Sequence, residues 1–277
     1  MSSTSEHFVP GSSTAKALWR AARRQLSIDG LRRTPPIWRE RRIIEELAVL
    51  RRHPLSAGIG LPRGDGLPVF LIPGYLAGDP LFEPMARALR AAGYRPASSG
   101  VRLNVGCASA MFGPLEARLE ALVARTGGQR AFVVGQSRGG GFAKWLGVRR
   151  PDLVAGVVTL GSPLLDPLAL NLLMLVNVGL VGALGTLGLP GLLSTSCLRP
   201  EGCCAPVWRE LARPLPEDVP FASIYSRSDG VVDWRACLDP HARHVQVESS
   251  HCGMLFNVEV MQAIGAELAA VVGQEYR

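Results

Sequence analysis

From Pro68 onward, apolar and polar positions alternate between two rhythms. Short runs rich in β-branched and aromatic residues, "PVFLIPG", "AFVVG", "LVAGVVTLG", "FASIYS" and "HVQVES", read as strands. Helical periods separate them. "LFEPMARALRAAGY" is stopped by Gly93. "GPLEARLEALVARTGG" turns Leu115, Leu119, Leu122 and Val123 inward and is capped by Gly127. "GGGFAKWLGVRR" carries Phe142, Trp145 and Leu146 on one face, and a last helix runs through "VEVMQAIGAELAAVV". Strands alternating with helices predict an α/β fold with a mainly parallel sheet flanked by helices.

Two segments depart from that rhythm. Residues 1–63 form an N-terminal extension with two amphipathic helix candidates. In "AKALWRAARRQL", Ala15, Leu18, Trp19, Ala22 and Leu26 oppose Arg20, Arg23 and Arg24. In "IWRERRIIEELAVLRR", Ile43, Ile44, Leu47 and Leu50 share a face. Such helices either pack on the domain with their arginines in water or attach to an anionic membrane surface, and both readings stay open. The remaining body spans 64–277 and is interrupted between two strands at about 164–218. The first half of that insertion, "LALNLLMLVNVGLVGALGTLGLPGLL", is almost wholly apolar, with glycine at every third position from Gly179 to Gly191. A membrane span there would put the two halves of one sheet on opposite sides of the bilayer. A cap or lid facing lipid is the preferred expectation, against an ordinary buried helix.

Composition sharpens this picture in three places. At 277 residues and 47% hydrophobic, the chain can bury the core of one large domain. All of the net charge of +7 sits in residues 1–63, with 12 basic and 5 acidic side chains; the remainder carries 18 of each sign. A neutral body excludes a nucleic-acid footprint spread over the fold. The six cysteines, Cys107, Cys197, Cys203, Cys204, Cys237 and Cys252, include no CxxC pair. Mostly reduced thiols in a cytoplasmic protein, peripheral to membrane at most, are expected, with one bridge left open among Cys197, Cys203, Cys204 and Cys237. The polar start followed by arginines does not read as a secretory signal.

The candidate chemistry centres on "FVVGQSRGGGF", where a strand gives way to Gly135-Gln136-Ser137-Arg138-Gly139 and then to a helix. A serine on so sharp a turn adopts strained angles, and side chains two residues before and after it would collide, hence Gly135 and Gly139. Ser137 needs a base held by an acid. His251, in "SSHCGM" beyond a strand end, is the expected base. Asp229, in "SRSDGVVD" beyond another, is the expected acid, with Asp233 in reserve. The backbone N–H groups of Tyr75, in "LIPGYLAG", and Arg138 would form the oxyanion hole. No cofactor is expected. No metal is expected either: Cys237, His241, His244, His251 and Cys252 lie close in sequence, but at no ligand spacing on a common element.

With elbow, acid and histidine in this order, the chain resembles the α/β-hydrolase superfamily. Within it, "LIPGYLAGD", "GQSRGG", "LGSP", "SRSDGVVD" and "SSHCGM" are similar to bacterial triacylglycerol lipases and esterases, over about three quarters of the chain. The resemblance implies a catalytic triad of Ser137, Asp229 and His251, and a small-molecule or lipid ester hydrolysed through an acyl-enzyme on medium to long acyl groups. Acyl transfer to an alcohol or thiol, thioester cleavage, or a non-catalytic lipid-binding role on the same fold are the alternatives.

Overall fold

Alternation within the strands decides which side of the sheet each residue fills. In the first strand, β1 (Pro68–Ile72), Val69 and Leu71 enter one core layer while Phe70 and Ile72 enter the other. All five are buried, as a parallel strand covered on both faces requires. The computed structural model describes residues 34–275 of the chain; the helix candidate at 15–26 lies outside them.

Six parallel strands form one sheet in the order β2-β1-β3-β4-β5-β6. The others are β2 (Arg95–Ser98), β3 (Ala131–Gln136), β4 (Val154–Leu160), β5 (Phe221–Ser226) and β6 (Arg243–Val247). The helices are α1 (Ile43–Arg52), α2 (Glu83–Ala91), α3 (Ala108–Arg125), α4 (Arg138–Arg149), α5 (Leu172–Thr186), α6 (Ala205–Leu211) and α7 (Val258–Glu275). Helices α1, α2 and α7 cover one face through Leu50, Met85, Leu89, Ile264 and Leu268. Helices α3, α4 and α6 cover the other through Leu115, Phe142, Leu146 and Leu211. Each such side chain contributes roughly 1.5–3 kcal/mol by leaving water.

The strand order reverses between β1 and β3, opening a crevice beyond the carboxyl ends of the strands. Segments leaving β1, β3, β5 and β6 all converge there. The interruption predicted at about 164–218 lies between β4 and β5 and folds as α5, a 3-10 turn (Thr195–Leu198) and α6.

Three local expectations are corrected. The edge strand β2, "RPAS", carries no apolar run, and none of its residues is fully buried, so its pairing with β1 left no periodic signal. Helix α3 begins at Ala108, ahead of the predicted "GPLE" start, and carries Pro114 inside it. Burial of Ala108 and Phe112 offsets the backbone hydrogen bond that proline cannot make. On α1, Ile44 points to solvent with 73% exposure, and the acidic Glu46 is buried beside Leu50 instead.

Candidate active site

Ser137 follows β3 directly and is the N-cap of α4, with φ 53° and ψ −123°. Among the described residues only Asp65, Leu76 and Ser137 combine a side chain with positive φ, a conformation costing on the order of 1–3 kcal/mol. The turn around Ser137 leaves no room for substituents. A Cβ on Gly135 would lie 2.3 Å from the Gly139 carbonyl oxygen, and one on Gly139 would lie 2.3 Å from that of Ile72. A 2.7 Å hydrogen bond from the Ser137 N–H to the Leu160 carbonyl pins the strained residue to β4. The hydroxyl therefore stands at the amino end of a 12-residue helix, where the helix dipole favours negative charge.

Asp229 and His251 come together from the ends of β5 and β6. Asp229 Oδ2 lies 2.6 Å from His251 Nδ1, and Asp229 Oδ1 accepts from the Val231 and Val232 N–H groups at 2.8 and 2.7 Å. Both side chains are buried. Burial alone would push the imidazole towards its neutral form. The Asp229 charge and hydrogen bond, joined by the charge of Glu40, outweigh it and raise the His251 pKa above the ordinary histidine value. Asp233 goes elsewhere: it caps the turn Trp234–Cys237 and pairs with Arg235. Ser137 and His251 line one cavity of about 220 Å³, with Tyr75, Leu164, Leu193 and Val207 among its walls. Among the described residues no hydrogen bond yet joins the serine hydroxyl to the imidazole.

Tyr75 sits in a turn closed by the Ala77 N–H on the Gly74 carbonyl at 3.1 Å, with Leu76 held at φ 60°. A Cβ on Gly74 would lie 2.1 Å from Gln136 Oε1. Arg138 is the first residue of α4, so its N–H has no intrahelical acceptor.

Several positioning residues escaped the sequence reading. Asn104, fully buried, donates to the Pro73 carbonyl at 2.8 Å and accepts from the Arg138 guanidinium at 3.0 Å, which ties the Tyr75 turn to the residue after the serine. Gly161, at φ 54°, leaves space against the Asp–His pair: a Cβ there would lie 3.1 Å from Asp229 Oδ2 and 3.2 Å from His251 Nδ1. Glu40, in the 3-10 turn Ile37–Arg42 of the extension, accepts from the Gly230 and His251 N–H groups at 2.9 and 3.0 Å and from Cys252 at 3.0 Å. Glu46 of α1 accepts from the Ser249 hydroxyl and the Ser250 N–H at 2.7 and 3.0 Å. A carboxylate four positions before a basic or apolar residue is ordinary helix chemistry, so nothing in "IWRERRIIEELAVLRR" marks these two as supports for a loop about two hundred residues away.

The insertion is tied to the same loops. Asn171 caps α5 through the Met174 N–H at 2.8 Å and donates to the Gly230 carbonyl at 2.5 Å, while the Tyr75 hydroxyl donates to Asn177 on α5 at 3.0 Å. Of the histidines and cysteines weighed as ligands, His251 serves Asp229, and His244 Nε2 meets the Asp239 carbonyl oxygen at 2.7 Å.

No protein-family model matches this sequence, and no curated protein does. Solved structures do match. A mature lipase from Bacillus licheniformis superposes with a TM-score of 0.56 at 15% identity, covering 76% of this chain and 94% of that one. A soluble variant of the monoglyceride lipase of Saccharomyces cerevisiae, in complex with a substrate analogue, gives 0.55 at 13%, covering 76% and 89%. The monoacylglycerol lipase of Paleococcus ferrophilus gives 0.51 at 14%, covering 76% and 96%. This likeness, with the parallel sheet and its flanking helices, gives the chain the α/β-hydrolase fold.

Proposed function

We propose that this α/β-hydrolase fold serves a serine-dependent carboxylic ester hydrolase that works through an acyl-enzyme on medium to long acyl esters. The reading is carried by the 2.6 Å Asp229–His251 contact opening into the cavity that Ser137 also lines. As the ester carbonyl docks, the serine hydroxyl and the imidazole close to hydrogen-bond distance, as is usual on forming the Michaelis complex. His251 Nε2 takes the Ser137 proton while Oγ attacks the carbonyl carbon. Asp229 stabilises the imidazolium, and the Tyr75 and Arg138 N–H groups receive the oxyanion, about 3 kcal/mol per donor. The imidazolium then protonates the leaving alcohol, and water repeats the sequence on the acyl-enzyme.

The walls of the cavity are mostly apolar side chains, which favours an acyl chain over a charged substrate. Above them α5 exposes Leu173 and Leu180 at 63% and 60%, and Leu187 just beyond its end is 80% exposed, a surface suited to lipid. No described helix is long and apolar enough to cross a membrane, so contact at the interface is the role proposed for α5. The three lipases named above are of the same fold, and their lipid esters agree with this reading.

Ser137→Ala is expected to abolish hydrolysis of a nitrophenyl ester series, by roughly 10⁴-fold or more, and to abolish labelling by a fluorophosphonate probe. Retained turnover or labelling in that variant rejects the assignment.

A further inference from the structure

Outside the reaction centre, four cysteine sulfurs meet at one point. Cys107 stands just before α3, Cys197 lies in the turn Thr195–Leu198, and Cys203 and Cys204 lead into α6. The Cys107 sulfur is 3.6 Å from those of both Cys203 and Cys204. Cys203 is 3.3 Å from Cys197 and 3.9 Å from Cys204. All four sulfurs lie within 4.8 Å of one another. A disulfide would need a separation of about 2.05 Å. A tetrahedral zinc ion with bonds of about 2.3 Å needs sulfurs about 3.8 Å apart; four of the six edges lie between 3.3 and 3.9 Å, and the other two within 4.8 Å.

Packing alone does not account for the convergence, since thiols are weak hydrogen-bond partners and gain little from one another. Backbone donors reach three of the sulfurs, although burial holds the Cys203 and Cys204 thiols above the ordinary range. The Ser194 N–H donates to the Cys197 sulfur at 3.3 Å, and the Ser109 and Ala110 N–H groups at the start of α3 face Cys204 and Cys107. The Arg138 guanidinium, within electrostatic reach of Cys204, Cys197 and Cys107, opposes the negative charge that four thiolates around a divalent ion would leave. Cys197 and Cys204 are buried, while Cys203 is exposed and offers a route in.

We propose that Cys107, Cys197, Cys203 and Cys204 bind a structural zinc ion: four thiols and one Zn²⁺ give one tetrathiolate centre and four protons released to solvent. Four protein ligands leave no open position, so the ion holds structure and performs no chemistry on the ester. It joins the insertion to the start of α3, beside the arginine that Asn104 holds next to the serine. The sequence offered no CxxC pair and led to no metal being expected; the ligands come from three separated segments that only the fold assembles.

The test uses the full chain, expressed with zinc and purified under reducing conditions. Elemental analysis should give about one zinc per chain, and replacement by Co²⁺ should give the visible bands of a tetrahedral thiolate site. Cys203→Ser and Cys107→Ser should lose most of the zinc and lower the melting temperature, whereas Cys237→Ser and Cys252→Ser should keep full stoichiometry. Fluorophosphonate labelling of Ser137 in the same preparations reports on the ester-hydrolase reading separately. Zinc-free protein with all four thiols free, disulfides among these four cysteines, zinc retained in both Cys203→Ser and Cys107→Ser, or iron in place of zinc would each overturn the proposal.

Discussion

Single side chains set the proton chemistry. Because Asp229 and Glu40 raise the His251 pKa against the effect of burial, the neutral imidazole that the proposed mechanism uses as its base predominates only above the ordinary histidine value of about 6.5. The acid limb of kcat/KM should therefore lie above that pH, with activity rising as His251 loses its proton. Glu40→Gln keeps an acceptor for the Gly230 and His251 N–H groups but removes the charge. The limb should then move to lower pH, with less than about tenfold change on the alkaline plateau. A purely structural role for Glu40 would lower the melting temperature and leave the limb where it was. "GQSRGG" and "SSHCGM" were legible at this scale because a strained serine turn and a histidine beyond a strand leave local marks. Glu40 and Asn104 were not legible, since each acts on backbone groups far away in the chain.

At the scale of an element, α5 combines two apolar faces. Its inner side carries Val178 and Gly182 against the body, and Gly185 packs so closely that a Cβ would lie 2.1 Å from the Leu193 carbonyl oxygen. Its outer side exposes leucines. Within the glycine repeat, Gly185 therefore marks the place where a neighbouring backbone approaches, while a Cβ on Gly182 would lie 3.4 Å from the Leu193 and Leu198 side chains, a reading that composition alone could not separate from a membrane span. Leu180→Glu combined with Leu187→Glu should leave hydrolysis of a short soluble ester within about twofold. On an emulsified long-chain ester, loss of roughly 2 kcal/mol of burial per leucine should cost tenfold or more. Equal losses on both substrates would remove α5 from interfacial contact.

At the scale of the whole molecule, one buried ion pair links distant parts. Lys144 of α4 bonds Asp239 and donates to the Leu211 carbonyl of α6 at 2.5 Å, with both charged side chains almost fully buried. Removing one partner strands a charge, so Lys144→Met should lower stability by about 3–5 kcal/mol, read as a fall in the urea midpoint. Lys144→Met with Asp239→Leu should recover much of that loss, because the cost is the unpaired carboxylate. Buried Lys144 was also invisible in advance: "GGGFAKWLGVRR" reads as a helix with Phe142, Trp145 and Leu146 on one face, and nothing in it marks the lysine as buried.

What the sequence determined by itself was the period of each element and the residues that must stand on tight turns, because both depend on contacts within a few positions. Strands of period two, helices of period 3.6 and the glycine-flanked serine were enough for the α/β architecture and for the order of serine, acid and histidine. Tertiary structure alone decided which carboxylates support the histidine loop, which lysine is buried, and that Cys107 meets Cys197, Cys203 and Cys204. Those meetings depend on strand order and crossover geometry, which place residues from 95 to 212 positions apart within a few ångströms and leave no periodic trace along the chain.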